Sequence, residues 1–184
     1  MVIVFIGPPG SGKGTQAKIL KENSLPKLHL LTVSSLLKEK SNDGSVLGKD
    51  IKIRMDNGEL IEDTIVISVL KEKVESLQNE QILIDGFPRS SIQANSLNEI
   101  FKNSNIHVIN FIVSDRQLLE RINKRSLEES RADDSFFEKR LSIYKKTHSQ
   151  IITSLNKYYD VINIEANDEI SSISQKITEK LGLN

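Results

Sequence analysis

Cysteine is absent from the 184 residues. Its absence excludes a disulfide framework, a thiol nucleophile and a cysteine-ligated zinc site. The three histidines, His29, His107 and His148, stand singly and make no ligand-like cluster. Charge of one sign is also lacking, with 25 Lys plus Arg against 25 Asp plus Glu. No global basic field draws the chain to nucleic acid or an anionic membrane, so any anion must be held by a local site. No apolar run approaches the roughly 18 residues of a membrane span. The apolar opening at 1–7 is too short for a signal peptide and has no basic leader. A soluble protein that suits a reducing cytosol is therefore expected. Repeats and low-complexity tracts are missing, and the length suits one domain of about 100–200 residues with a sizeable core.

What is present is a set of short runs rich in Val, Ile and Leu at 2–6, 28–33, 81–84, 108–113 and 161–164. Runs of this length without polar alternation predict strands covered on both faces, and the longer segments between them have helical spacing. Ile65, Val69, Leu70, Val74 and Leu77 recur at three and four residues, as on the buried stripe of an amphipathic helix. Strands alternating with crossover helices predict an α/β fold with a mostly parallel, doubly wound sheet. In such sheets ligands sit beyond the carboxyl ends of the strands, so chemistry is sought just after each apolar run. Residues 41–44 read as a turn between two helices, and Asn57 with Gly58 as a helix stop. The helices between the second and third strands make a long excursion for one crossover, which suggests a small movable subdomain.

Directly after the first run comes Gly7-Pro8-Pro9-Gly10-Ser11-Gly12-Lys13-Gly14-Thr15, followed by a helix-like segment. Glycines let backbone N–H groups wrap around phosphate oxygens, the helix aims its positive end at the same place, and Lys13 adds a mobile charge. The alternative is a Gly/Pro turn that merely links strand to helix, which the order strand, loop, lysine, helix disfavours. The commonest form of this loop has Ser or Thr directly after the lysine; here Gly14 intervenes before Thr15. After the third run stands Asp85-Gly86-Phe87-Pro88-Arg89. An aspartate at a strand's carboxyl end can hold waters around Mg²⁺, and a tight turn can aim Arg89 at a phosphate. By itself the segment could equally be an Asp-Gly turn with a surface arginine.

The Gly-Lys-Gly-Thr variant with Pro-Gly before it resembles the nucleoside monophosphate kinases, adenylate kinase above all, and Asp-Gly-Phe-Pro-Arg resembles that family's second signature. The resemblance runs over nearly the whole chain. It implies a phosphate-loop NTPase fold with a five-stranded parallel sheet flanked by helices over 1–184, a small helical monophosphate-binding subdomain at 34–63 and a short lid at 125–131. It implies phosphoryl transfer from ATP to AMP with Mg²⁺, in adenine nucleotide homeostasis, by a cytoplasmic monomer that binds neither nucleic acid nor membrane. Gly10, Ser11, Gly12, Lys13, Gly14 and Thr15 would then hold the ATP phosphates and Asp85 the hydrated metal, while Ala166 matches a backbone position beside the ATP adenine. Arg121, Arg125, Arg131 and Arg140 would close over the polyphosphate, with Lys13, Arg89, Arg121, Arg131 and Arg140 as the catalytic set. Clustered arginines also suit a solvated face, but guanidinium forks fit the spread charge of phosphoryl transfer. Val33, Lys38, Met55, Gly58, Glu59, Leu60, Ile61, Gly86 and Gln93 fall on the AMP side. Gln93 matches the residue that reads adenine, since an amide donates and accepts at once; a solvated helix glutamine is the bland alternative. UMP/CMP kinases, which typically have asparagine there, and a catalytically impaired nucleotide-binding regulator are the competing readings.

Two departures from the family pattern stand out. Arg131 and Arg140 are nine residues apart where eleven is usual, and on a continuous helix that loss would rotate the second side chain by about 200°. The missing residues are therefore expected in the loop and first turn at 133–137, leaving Arg140, Leu141 and Tyr144 in register. Across 32–38 the family reads Ser-Thr-Gly-Asp-Leu-Leu-Arg, whereas Val33, Ser34, Ser35 and Lys38 replace its threonine, glycine, aspartate and arginine. Weakened ground-state binding of AMP is expected from the lost polar contacts and the lost phosphate fork.

Overall fold

The computed structural model describes the chain except residues 24, 26, 58, 60, 78, 79, 103, 129–136 and 184, and describes 125–128 as backbone only. Five strands, β1 (Val2–Ile6), β2 (His29–Thr32), β3 (Ile82–Asp85), β4 (Ile106–Ile112) and β5 (Val161–Glu165), form one sheet in the order β2-β3-β1-β4-β5. Every pairing is parallel. The helices are α1 (Lys13–Asn23), α2 (Val33–Ser41), α3 (Val46–Asp56), α4 (Asp63–Ser76), α5 (Ser91–Ile100), α6 (Asp115–Glu128), α7 (Phe137–Leu155) and α8 (Ile170–Leu181).

Strand alternation sorts the apolar residues into two cores. Val2, Val4 and Ile6 of β1 join Ile82, Ile84 and Val108 on one face, where Leu36, Leu37, Ile51, Val69, Leu70, Leu97 and Leu155 cover them. Ile3 and Phe5 join Leu83, Ile109 and Phe111 on the other, under Ala17, Leu20, Ile173 and Ile177 of α1 and α8. Side chains two apart along a strand share a face, so one continuous apolar run supplies both cores. Burial of each such Leu or Ile contributes roughly 1.5–3 kcal/mol.

The predicted double coverage holds for β1, whose residues are all buried, but not for β2 and β5, which are half-buried along much of their length. These are the sheet's edges, with one neighbouring strand each. The run at 28–33 also ends early as a strand. Thr32 keeps an extended backbone while Val33 opens α2, its side chain buried beside Leu36 and Leu37. The stripe on α4 is as the spacing predicts, with Val69 and Leu70 buried and Ile65, Val74 and Leu77 packed at the core's margin.

Between β2 and β3 the chain makes three helices. Asp43 Oδ1 accepts from the Ser45 amide at 2.8 Å, and Ser45 Oγ caps α3 by accepting from Gly48 N at 2.9 Å. This is the turn read at 41–44. Gly48 lets α3 approach α2 closely, because a Cβ there would run into the Lys40 carbonyl. Among the described residues no helix is long and apolar enough to cross a membrane.

Candidate active site

The sheet changes winding direction at β1, whose neighbours are β3 on one side and β4 on the other. At such a point ligands sit beyond the strands' carboxyl ends, and the loop at 7–12 leaves the carboxyl end of β1 there on the way to α1. Gly10 and Gly12 have φ of 80° and 91°, which glycine adopts without steric cost. A Cβ on Gly10 would lie 3.3 Å from Ile122 and 3.6 Å from the Phe137 ring, so the loop is seated on α6 and α7. The helix ladder of α1 is entered by Gln16 N on Gly12 O at 3.0 Å, and the preceding amides at a helix start have no intrahelical acceptor. Amides of this kind at a helix start suit an anion.

Lys13 is folded onto its own loop. Nζ donates to the carbonyls of Gly7 at 2.9 Å and Pro8 at 2.8 Å, and to Ser11 Oγ at 3.1 Å. Burial of the ammonium pushes its pKa down to about 8; Asp85 opposes that shift, and the positive charges of Arg89 and Arg140 add to it. Asp85, Arg89 and Arg140 therefore share one electrostatic neighbourhood with Lys13, although they come from the end of β3, the loop after it and α7. Asp85 Oδ2 is 3.5 Å from where a Cβ on Gly14 would stand, and Thr15 beside it is exposed.

Arg89 is an exposed residue whose Nε donates to Gly86 O at 2.8 Å, in a turn that contains the cis Phe87–Pro88 peptide and Gly86 at φ 85°. Arg121 reaches the loop as well, but its guanidinium holds backbone: Nη1 donates to Ser11 O at 3.2 Å and Nη2 to Ala166 O at 2.6 Å. The arginine expected over the polyphosphate thus ties the phosphate loop to the segment after β5. Arg140 projects from α7 next to Leu141, which packs against Leu118, Ile122 and Phe137. The side chain of Arg125 and the whole of Arg131, Gly58 and Leu60 lie outside the described residues, as do 129–131 of the 125–131 lid and 133–136 of the loop expected to absorb the missing residues.

On the acceptor side Val33 is buried in the core, so its methyl groups serve packing. Lys38 is exposed on α2 and its ammonium has no partner among the described residues; its carbonyl accepts from Ser41 Oγ and Asn42 Nδ2, both at 2.8 Å. Met55 is exposed at the end of α3, Glu59 follows with its amide on Arg54 O at 2.8 Å, and Ile61 packs at the core's edge. Gln93 is buried on α5, where the solvated alternative had it exposed. Its amide is engaged by Arg89 N and by Asp63, a residue that sequence reading passed over. The only local sign of Asp63 was an acid at the start of the α4 stripe, a favourable place for one. Ser11, a partner of Lys13, was read only as part of the loop.

The histidines stay apart: His29 is 3.8 Å from Glu80, His107 pairs with Asn105 at 3.1 Å, and His148 with Asn110 at 3.2 Å. Among the described residues no group of three or more carboxylates and imidazoles is gathered to hold a metal by itself.

Comparison with known proteins identifies relatives for the whole arrangement. The family model described as adenylate kinase matches residues 5–163. An adenylate kinase of Prochlorococcus marinus strain MIT 9211 is 34% identical over 185 residues, covering 98% of this chain and 97% of the relative. One of Prochlorococcus marinus subsp. pastoris is 37% identical over 185 residues, with 97% and 96% covered. One of Borrelia garinii subsp. bavariensis is 30% identical over 207 residues, with 96% of each chain covered. A phosphate loop at the sheet's switch point, the acid that ends β3 with the arginine after it, and a match from β1 into β5 agree: the chain belongs to the adenylate kinase family.

Proposed function

We propose that this enzyme transfers the γ-phosphoryl group of ATP directly to AMP, reversibly, giving two ADP, and acts as a cytoplasmic monomer in adenine nucleotide homeostasis. The observation that carries the proposal is the convergence of Asp85, Arg89 and Arg140 on Lys13 at the mouth of the anion loop. Phosphoryl transfer needs little covalent chemistry from the protein; it needs the two nucleotides held in line and the charge on the equatorial oxygens neutralised.

In this reading Gly10 to Thr15 cradle the ATP phosphates with backbone N–H groups. Lys13 leaves the Gly7 and Pro8 carbonyls for the phosphate oxygens. Arg89 and Lys38 take the AMP phosphate, Gln93 meets its base, and Met55, Glu59 and Ile61 flank it. Arg140 approaches the bridging phosphates, with Arg121, Arg125 and Arg131 as the further arginines of that set and Ala166 beside the ATP adenine. Asp85 offers hard oxygen donors where Mg²⁺ bound with ATP would keep much of its water shell. The metal supplies charge neutralisation on the phosphates. Closure of the 34–63 subdomain and the 125–131 lid would exclude water and limit wasteful hydrolysis.

The test is a coupled assay of ADP formation from ATP with AMP, CMP, UMP or GMP, with and without Mg²⁺. AMP is expected to be preferred, and Lys13→Ala is expected to lower the rate at least a hundredfold with the fold intact. No ADP formation above the Lys13→Ala level would refute the catalytic reading, and equal kcat/KM for AMP and CMP would refute the choice of acceptor.

A further inference from the structure

The side-chain amide of Gln93 is held at both ends. Oε1 accepts from the backbone N–H of Arg89 at 2.7 Å, and Nε2 donates to Asp63 Oδ1 at 2.6 Å. Each partner has a single role, since a backbone N–H only donates and an ionised carboxylate only accepts. Turning the amide by half a revolution would set its oxygen against the carboxylate and its NH₂ against the N–H. Both mismatches would be nearly sealed from water, because Gln93 is 4% exposed.

Asp63 is anchored in turn. It is the first residue of α4, and its Oδ2 accepts from Ser90 Oγ at 2.7 Å. That hydroxyl accepts from Gln93 N at 3.1 Å and so caps α5. A carboxylate carried by the long crossover between β2 and β3 therefore sets the rotamer of a side chain that follows β3. The amide retains one N–H and one lone pair for another partner.

We propose that Asp63 is a positioning residue: it locks the Gln93 amide in one orientation and thereby sets the choice between a 6-amino and a 6-keto purine monophosphate. The inference rests on the reading of Gln93 as the group that meets the acceptor base. AMP offers an amino donor beside an acceptor ring nitrogen. IMP offers the inverse, a carbonyl acceptor beside an N–H donor. A locked amide matches one of these edges; an amide free to turn matches both, and the discrimination between them falls.

The experiment measures kcat/KM for AMP and for IMP, with ATP as donor, in the parent enzyme and in Asp63→Asn, Asp63→Ala and Gln93→Ala. Asn keeps the size of the side chain but can pair with the amide either way round, so it removes the Asp63 half of the lock without emptying the site, and only the Arg89 N–H still favours one orientation. The IMP-to-AMP ratio is expected to rise roughly tenfold in Asp63→Asn and at least as much in Asp63→Ala, with the KM for ATP within about twofold of the parent. In a Gln93→Ala background the Asp63 substitutions are expected to leave the ratio unmoved. If Asp63→Asn lowers kcat/KM for AMP and IMP in the same proportion, the lock is refuted and Asp63 is only a tie between α4 and α5. Should Asp63→Ala not fold, Asp63→Asn alone decides the matter. Failure of the underlying reading looks different: Gln93→Ala by itself would then leave the ratio at the parent value.

Discussion

Nucleotide binding should drive protons onto Lys13, by an amount that depends on pH. The ammonium is turned onto Gly7 O, Pro8 O and Ser11 Oγ, and its pKa is pushed down to about 8. Desolvation is the largest cause, and the charges of Arg89 and Arg140 add to it. A polyphosphate in the loop would replace neutral carbonyls by several negative charges and raise the pKa well above 8. The free enzyme is about half protonated at this site at pH 8 and about one-tenth at pH 9, so binding should take up roughly 0.5 proton at pH 8 and roughly 0.9 at pH 9. Affinity for ATP should then fall by up to about tenfold per pH unit above 8. Titration calorimetry in buffers of different ionisation enthalpy counts the protons, and above pH 8 the phosphates themselves are already ionised. Binding heats independent of buffer at pH 8.5, or the same uptake in Lys13→Ala, would refute the reasoning. Folding stability shifts with pH as well. The folded pKa of Lys13 lies below the unfolded value of 10.5, so the unfolded chain binds more protons between about pH 8 and 10.5 and stability should rise across that window.

Gly7→Ala should destabilise the fold by about 2–5 kcal/mol: φ is 149°, and the new Cβ would stand 2.9 Å from Phe111 Cβ and 3.0 Å from the Phe111 carbonyl, which is held in the sheet. Thermal melting should show a loss of roughly 5–15 °C, and a loss under about 2 °C would contradict the packing of this turn. Lys38→Arg should lower the KM for AMP severalfold and leave that for ATP nearly unchanged, because a guanidinium fork replaces a point donor that has no partner among the described residues; an equal or higher KM for AMP would remove Lys38 from the phosphate site.

The strands and the anion loop were legible because each is a local matter. An apolar run of four to six residues carries its own instruction to be covered, and the loop from Gly7 to Gly12 with Lys13 lies within a single turn of chain. Asp85 and Arg89 were legible by position, since the last residue of a parallel strand and the turn after it open toward the ligand face. Val33 was misassigned to a strand for an equally local reason: a β-branched residue ending an apolar run looks extended, and only packing beside Leu36 and Leu37 makes it the start of a helix.

Sequence alone thus determined the class of fold, the phosphate loop and which residues stand at the strand ends, all of which depend on neighbours a few residues apart. The tertiary structure decided which strands lie at the edges, where Arg121 sends its guanidinium, how far Lys13 is desolvated and which way Gln93 faces. Those depend on groups 30, 45 and 110 positions away, as with Asp63 for Gln93 and with Ala166 and Ser11 for Arg121. No periodicity encodes such pairs. They form only when the crossovers bring the carboxyl ends of β1, β3, β4 and β5 to one side of the sheet, and there a buried amide or ammonium takes whichever partner its hydrogen bonds and charge require.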